Sequence, residues 1–579
     1  MKNSIQQTPL APTPSPIKTF FKTNRLVLVS FLALSIFNVI LFLRYGWLFG
    51  AQDFQFHLQR IEELYQNSQH FNFFPSIATF AFNQNGSAVM SMYPKLPLYL
   101  FAACRLVIRQ PIISYYIGII LMTFIGMVTA YFSYLSIEQG KTIGAYTFAV
   151  AYMMSGLLIN TNFTAADLGI SFSLLFLPLV FAGLYHWLTS NHYKMLTVGI
   201  SLICLSHVLN FIFVIVTLVL LTIINFKKVT KNKLINLVKA IVLTVLVTSS
   251  FWLPAYSFGT SVKMASPQKF PLAGINLPKY LFLTLTNSTW SSISIVALLG
   301  LILGFVFYRT LPKYLKQILW ISIFYIVVIS NIFPWYLLQD TKISIIQFTW
   351  RFLIFPQCFL ILIFSYCLND IIQRFSKKNV RRLVFSVFIL VFLVLSLHSQ
   401  FRITHFEINA PEVASPLTKD QNLQYKDGIV WFKATNSYEY QNILGFIGTK
   451  DYYPKNTLPV FDKIGYPEHH AFINNTAITV PTKNKAGSNQ SDISFHSSHT
   501  ASIELPFVIY NHHYQIKLDS KKIPLNISKH QLLLIKNVKA GTHTVHVQYK
   551  NNAITIAVAL MTVAGFIAII YVPKKHHSV

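Results

Sequence analysis

The sequence predicts a polytopic α-helical membrane protein with a β-sandwich-like domain near its C-terminus, on the extracellular side. Three observations predict it. Of 579 residues, 53% are hydrophobic and only 11% charged, where ordinary soluble domains carry about 25% charged residues. Apolar runs of spanning length recur up to residue 399 and once more before the end. Between them, residues 400–552 are polar and rich in Tyr, Asn, Thr, Lys and His, with short alternating stretches.

The elements follow in order. Residues 1–20 are expected to be a disordered cytoplasmic N-terminus, from the Pro, Thr, Ser and Gln content of the first seventeen. Lys18, Lys22 and Arg25 precede an apolar run over 26–43 without a small-residue cleavage site, so it reads as an uncleaved first helix that starts inside. A transmembrane domain then occupies 21–399. Helices are expected near 26–45, 112–136, 143–160, 168–188, 195–226 (broken), 238–255, 291–308, 317–335, 352–372 and 383–399. A last one falls within 553–572, followed by a cytoplasmic tail over 573–579, for about twelve crossings in all.

The first outer loop covers about 46–111, and its segment 88–108 is apolar but contains Pro94, Pro97, Arg105 and Arg109. If that segment spans, 195–226 is one long helix and Asp167 lies inside. If it does not, Asp167 lies outside and 195–226 must break near His207 and Asn210, a polar pair of the kind found where a helix opens around a cavity.

In the polar domain, 512–518 and 542–549 alternate as strands do, and Asp519-Ser520 and Ala540-Gly541 mark turns. The domain is placed outside by the basic loop 374–382 one helix before it and Lys574/Lys575 one helix after it.

The net charge of +29 has the same origin. Lysines and arginines gather in short clusters between apolar runs, as at 227–239, 309–316 and 374–382, which is positive-inside patterning and excludes a nucleic-acid surface. The four cysteines, Cys104, Cys204, Cys358 and Cys367, lie in or beside apolar runs without metal-type spacing.

One stretch carries chemistry. Asp53, His57 and Arg60 follow the first helix at i, i+4 and i+7, which puts carboxylate, imidazole and guanidinium on one helical face at the water–membrane boundary. A carboxylate there can take a proton from a hydroxyl, and a guanidinium can grip a lipid phosphate through paired donors. The plainer alternative is an amphipathic helix lying in the interface with a solvated polar face.

Four places in the chain resemble the polytopic type-C glycosyltransferase superfamily and, within it, the bacterial YfhO-like membrane proteins. The first is Asp53-x3-His57-x2-Arg60 after helix one. The second is Met92-Tyr93-Pro94-Lys95-Leu96-Pro97-Leu98-Tyr99, similar to a Tyr-Pro-Pro-Leu element, with Lys95 where a second proline is usual. The third is Ile346-Gln347-Phe348-Thr349-Trp350-Arg351-Phe352, similar to Gln-Phe-Pro-Trp-Arg, with Thr349 in place of proline. The fourth is the outer β-domain over 510–549. The similarity runs over about residues 20–575, and it favours the arrangement with Asp167 outside, near Asp53.

The resemblance implies sugar transfer from a polyprenyl phosphate, such as undecaprenyl phosphate, to a surface glycopolymer, teichoic acid among the candidates, in a Gram-positive-type envelope. Asp53 is then the catalytic base. His57, Arg60, Lys95 and Arg351 orient it or bind donor phosphate. Tyr93, Asp167, His207, Asn210, Gln347 and Trp350 are candidates for the cavity. No metal is indicated, because no second carboxylate adjoins Asp53 in sequence, although some type-C enzymes use a divalent ion. The partners implied are membrane lipids, the lipid-linked sugar and the acceptor polymer. Two other readings stay open: a flippase for lipid-linked sugars, which predicts inverted repeats of hydropathy, and a non-catalytic envelope protein that binds through its outer domain.

Overall fold

The computed structural model describes residues 16–267, 269–407, 431–444, 451–463, 469–473, 479–550 and 552–571. Most of the expected disordered terminus, all of the C-terminal tail and residues 408–430 of the polar segment lie outside the described residues.

Among the described residues, five helices are long and apolar enough to cross a membrane, or seven if each of two bent pairs is one span. The five are Pro111–Ile137, Leu168–Ser190, Thr349–Arg374, Lys378–His405 and Asn552–Ile570. The expected dozen is not reached by this measure, because several apolar helices are short or broken. The first, Pro16–Phe37, breaks at Asn38–Val39 and resumes as Ile40–Tyr45. Polar groups of helix Lys378–Arg402 meet that break: Ser396 Oγ donates to Asn38 Oδ1 at 3.3 Å and Gln400 Nε2 to Phe37 O at 3.2 Å. Buried side chains of this kind satisfy backbone groups that a broken helix leaves open.

Segment 88–108 forms no spanning helix. It divides into Val89–Met92 and Leu96–Val107 on either side of Tyr93-Pro94-Lys95. The longer piece has 12 residues, a rise of about 18 Å against a hydrocarbon core of about 30 Å. The stretch 195–226 is two helices, Lys194–Cys204 and Val208–Ile224. Trp187 Nε1 donates to Lys233 O and Lys233 Nζ donates to Leu188 O, so residues 187–188 and 233 share one end of the bundle. His207 lies at the other end, its ring 6.2 Å from that of Tyr93. Val208–Ile224 therefore returns to the end from which Lys194–Cys204 set out.

The helix expected over 317–335 is Lys313–Ile329, and three 3-10 turns fill much of 335–353. Pro334 disfavours helical backbone at Phe333 and has no N–H for Ser330 O, so the helix does not run on through this stretch. Where it ends, the backbone pairs with residues 274–275: Ile275 N–H donates to Ile329 O and Asn331 N–H to Ile275 O. Gly274 permits this approach, since a Cβ there would lie 2.1 Å from Ser330 O.

Strands β1 (Leu48–Ala51) and β2 (Trp431–Ala434) form an antiparallel ribbon that ties the first loop to the polar segment. The remaining strands are β3 (His470–Ile473), β4 (Thr479–Gly487), β5 (Gln490–Ser497), β6 (Ala501–Val508), β7 (Tyr514–Leu518), β8 (Lys521–Ile523), β9 (Leu532–Val538) and β10 (Gly541–Tyr549). They make one sheet, ordered β8-β7-β10-β5-β4-β3-β6-β9, that curls into a half-barrel. Among the described residues these strands form that single sheet and not the expected sandwich of two stacked sheets. Strand β4 pairs with β3 over residues 479–481 and with β5 over 482–487, and so joins what would have been two layers. The turn at Asp519-Ser520 has positive φ at both residues (46° and 71°), as a two-residue hairpin requires. The inner face of the sheet packs on the membrane part through Ile77, Ala88 and Phe258.

Candidate functional site

Asp53 is the N-cap residue of helix Phe54–Gln69, yet its side chain makes no capping hydrogen bond. Its carboxylate is thus left for other work. The helix is buried along nearly its whole length, so the reading of an interfacial helix with a solvated polar face does not hold. The cover comes from the polar segment: Gln55 Nε2 donates to Ile443 O and Gln59 Nε2 to Leu444 O, at the end of helix Ser437–Leu444. Glu63, further along the same helix, accepts from the backbone N–H groups of Thr79, Phe80 and Ala81 and from Asn67 Nδ2. That carboxylate fixes the loop leading back to Tyr93.

Asp167 joins this face from the start of helix Leu168–Ser190. One of its oxygens accepts from Ile170 N–H at 3.0 Å, a helix cap, and the same oxygen lies 3.5 Å from His57 Nε2. Both His57 ring nitrogens are buried without a hydrogen-bond partner among the described residues. Asp53, His57 and Asp167 each offer one ligand atom, and these atoms lie within 4.8 Å of one another. Two carboxylates and an imidazole suit a divalent cation. The second acid that the sequence lacks beside Asp53 is supplied by the fold.

The electrostatics follow from burial and crowding. Burial, then the neighbouring Asp167 carboxylate, push Asp53 up to about 7, while Arg351 pulls it down. Burial opposes ionisation of Asp167 too, but His57 and His207 together hold it well below the usual carboxylate range. Burial lowers His57. Close acids divide in this way because two adjacent carboxylates do not both ionise readily.

Arg351 is held by its neighbours: its Nη1 donates to Ile346 O at 2.9 Å and to Gln347 Oε1 at 3.1 Å. Its guanidinium lies 5.3 Å from the Phe348 ring and 6.0 Å from that of Trp350. Gln347 and Trp350 are therefore supports for Arg351. The Nε of Arg351 is buried with no partner among the described residues, and its charge reaches both Asp53 and His207.

The other predicted residues divide. Tyr93 stands in the centre, its ring 6.0 Å from His57 and beneath the Arg60 guanidinium at 4.4 Å. Arg60 spends its Nη2 on the carbonyls of Tyr93 (3.2 Å) and Pro94 (2.7 Å), so it shapes the Tyr-Pro-Lys turn. Lys95 Nζ donates to Pro75 O at 3.2 Å. Burial and Arg60 lower it to about 7, a poor setting for a fixed cation. His207 Nδ1 accepts from Asn210 N–H and caps its own helix, and Asn210 Nδ2 donates to Ser173 Oγ.

Two residues escaped sequence reasoning. Tyr452 stacks on Phe56, with centroids 5.8 Å apart and planes at 19°, and meets Tyr93 edge-on at 6.1 Å. The charge of Asp451, beside it, reaches Asp53. The polar segment had no motif there, and only the aromatic run Tyr452-Tyr453 hinted at a packed strap.

The arrangement is that of a polytopic membrane protein with a buried acid–histidine centre at one end of its bundle, under a β-domain. Residues 90–404 match the profile of a family described as 6-pyruvoyl-tetrahydropterin synthase related domain, membrane protein. The match takes in more than half of the chain, and the chain belongs to that family. No curated protein matches it.

Proposed function

We propose that this protein is an integral-membrane glycosyltransferase that moves a sugar from a polyprenyl-phosphate donor onto a surface glycopolymer at the outer face of the cell membrane. The observation that carries this reading is the convergence of Asp53, His57 and Asp167 within reach of the Arg351 charge. Base, cation and lipid-facing location are the three requirements of the reaction.

Sidedness is supported by charge. The end opposite the site holds Lys233 against Leu188 O, Lys141 between Glu138 and Asp370, and Arg374 over Phe307. Cationic ends of this kind face the cytoplasm, which supports an outer location for the site and the β-domain.

In the reaction, an acceptor hydroxyl oxygen attacks the anomeric carbon while the bond from that carbon to the phosphate oxygen breaks. The hydroxyl proton goes to Asp53, and the electron pair leaves with polyprenyl phosphate, whose charge Arg351 offsets. Asp167 and His57 lie beside Asp53 and line the pocket around its carboxylate. A divalent cation on these three residues would bind the donor phosphate directly.

The test compares envelope polymers from the wild type, a deletion strain and an Asp53→Asn strain by NMR and mass spectrometry. Loss of one sugar substituent in both altered strains, with the variant still in the membrane, is expected. An unchanged polymer in the Asp53→Asn strain would sink the reading.

A further inference from the structure

The strap at residues 451–457 comes from the polar segment and runs between both parts of the molecule. Tyr453 O accepts from Ala265 N–H, Lys455 N–H donates to Lys263 O, and Met264 bridges Pro454. Tyr453 Oη accepts from Asn85 Nδ2. On the other side, Tyr452 O accepts from Tyr510 Oη, two residues past the end of β6, and Thr457 Oγ1 donates to His530 O. So many anchors fix two side chains beside the site.

Tyr452 lays one ring face on Phe56, one turn after Asp53, and remains only half-buried. Asp451 is half-buried as well, with no cation within ion-pair distance among the described residues, although its charge reaches Asp53. Burial raises its carboxyl. A partly exposed aromatic ring beside a carboxylate that has no ion-pair partner among the described residues suits a sugar, whose C–H face packs on a ring and whose hydroxyls donate to carboxylate oxygens. Arg351, the cation suited to donor phosphate, belongs to the membrane part, whereas the strap belongs to the domain that covers the site.

We infer that Asp451 and Tyr452 form the acceptor subsite, where a polyhydroxylated or glycosidic unit of the acceptor is held against Asp53. The inference rests on the proposed transferase reading.

The experiment uses full-length protein in liposomes, undecaprenyl-phosphate-linked N-acetylglucosamine and, separately, the glucose analogue as donors, and purified polyglycerol-phosphate teichoic acid as acceptor. In Asp451→Asn and in Tyr452→Leu, the KM for acceptor is expected to rise about tenfold while the KM for donor moves less than about twofold, with Tyr452→Phe recovering most of the loss. An unchanged acceptor KM in both variants overturns the inference and leaves the transferase reading standing. Loss of kcat with acceptor KM unchanged also overturns it, by placing the pair in the chemical step. If the wild type transfers neither sugar to this acceptor nor releases it to water, the transferase reading itself fails.

Discussion

His57 Nε2 sits 3.5 Å from an Asp167 oxygen, across two helices that are remote in sequence. The contact is at ion-pair distance, and neither ring nitrogen makes a hydrogen bond among the described residues. It joins the loop after the first helix to the start of helix Leu168–Ser190 and brings a second carboxylate to Asp53.

Asp167 should therefore matter as much as Asp53. Asp167→Asn keeps the cap to Ile170 N–H through its amide oxygen but removes the charge that faces His57. Transfer activity is expected to fall about 100-fold, within the range for a group that assists a positioned base. Steady-state rates on purified protein, with folding checked by size exclusion, decide this; a rate within threefold of wild type would make Asp167 only a cap.

Activity should depend on pH through Asp53. Its carboxyl is raised to about 7, and a carboxyl can serve as a base only when ionised, so under the proposed reading the rate should climb as pH rises through that value. A rate profile from pH 5.5 to 8.5 measures it, taken with chelator and then with added magnesium or manganese. A cation on Asp53 favours the ionised form and should move the limb to lower pH. A flat profile under both conditions would remove Asp53 from the base role.

Metal dependence is a separate question for the same three residues. If they hold a divalent ion, treatment with EDTA should abolish transfer, and added metal should restore it in wild type but not in His57→Ala. Full activity after EDTA would leave Asp53 to act as a base alone.

Glu63 is a structural anchor. Three backbone N–H groups and one amide point at its two oxygens. Glu63→Gln turns an amide NH2 against donors and should cost about 1–3 kcal/mol, the expense of an unsatisfied buried group. Thermal unfolding monitored by tryptophan fluorescence reads the loss.

Gly169 is a packing constraint. A Cβ there would lie 2.7 Å from Tyr93 Oη and 3.1 Å from Ser206 O. Gly169→Ala should displace Tyr93 and the His207 turn, lowering stability by about 1–3 kcal/mol, as overpacking does. Wild-type stability and activity in this variant would show that Tyr93 has room to move.

Much of this was legible in the sequence, for definable reasons. Helical spacing put Asp53, His57 and Arg60 on one face, and that face does point at the site. What Arg60 does there was not legible, because its partners are the carbonyls of Tyr93 and Pro94. Asp167 was visible as a polar residue ahead of an apolar run, but hydropathy does not say which loops meet, so its place in a three-residue cluster had to come from packing. Alternation in 512–518 and 542–549 marked β7 and β10 but not their neighbours. Whether strands stack or join depends on β4, whose double pairing has no local signature. Asp451 and Tyr452 were hidden because a strap is fixed by distant anchors such as Tyr510 and Asn85.

The most direct test of the central claim is single-turnover transfer from undecaprenyl-phosphate-linked sugar by purified wild type and Asp53→Asn in liposomes. The account predicts that the variant still binds donor with an affinity within about threefold of wild type yet transfers at least about 100-fold more slowly. Equal single-turnover rates would contradict it and make Asp53 a structural carboxylate.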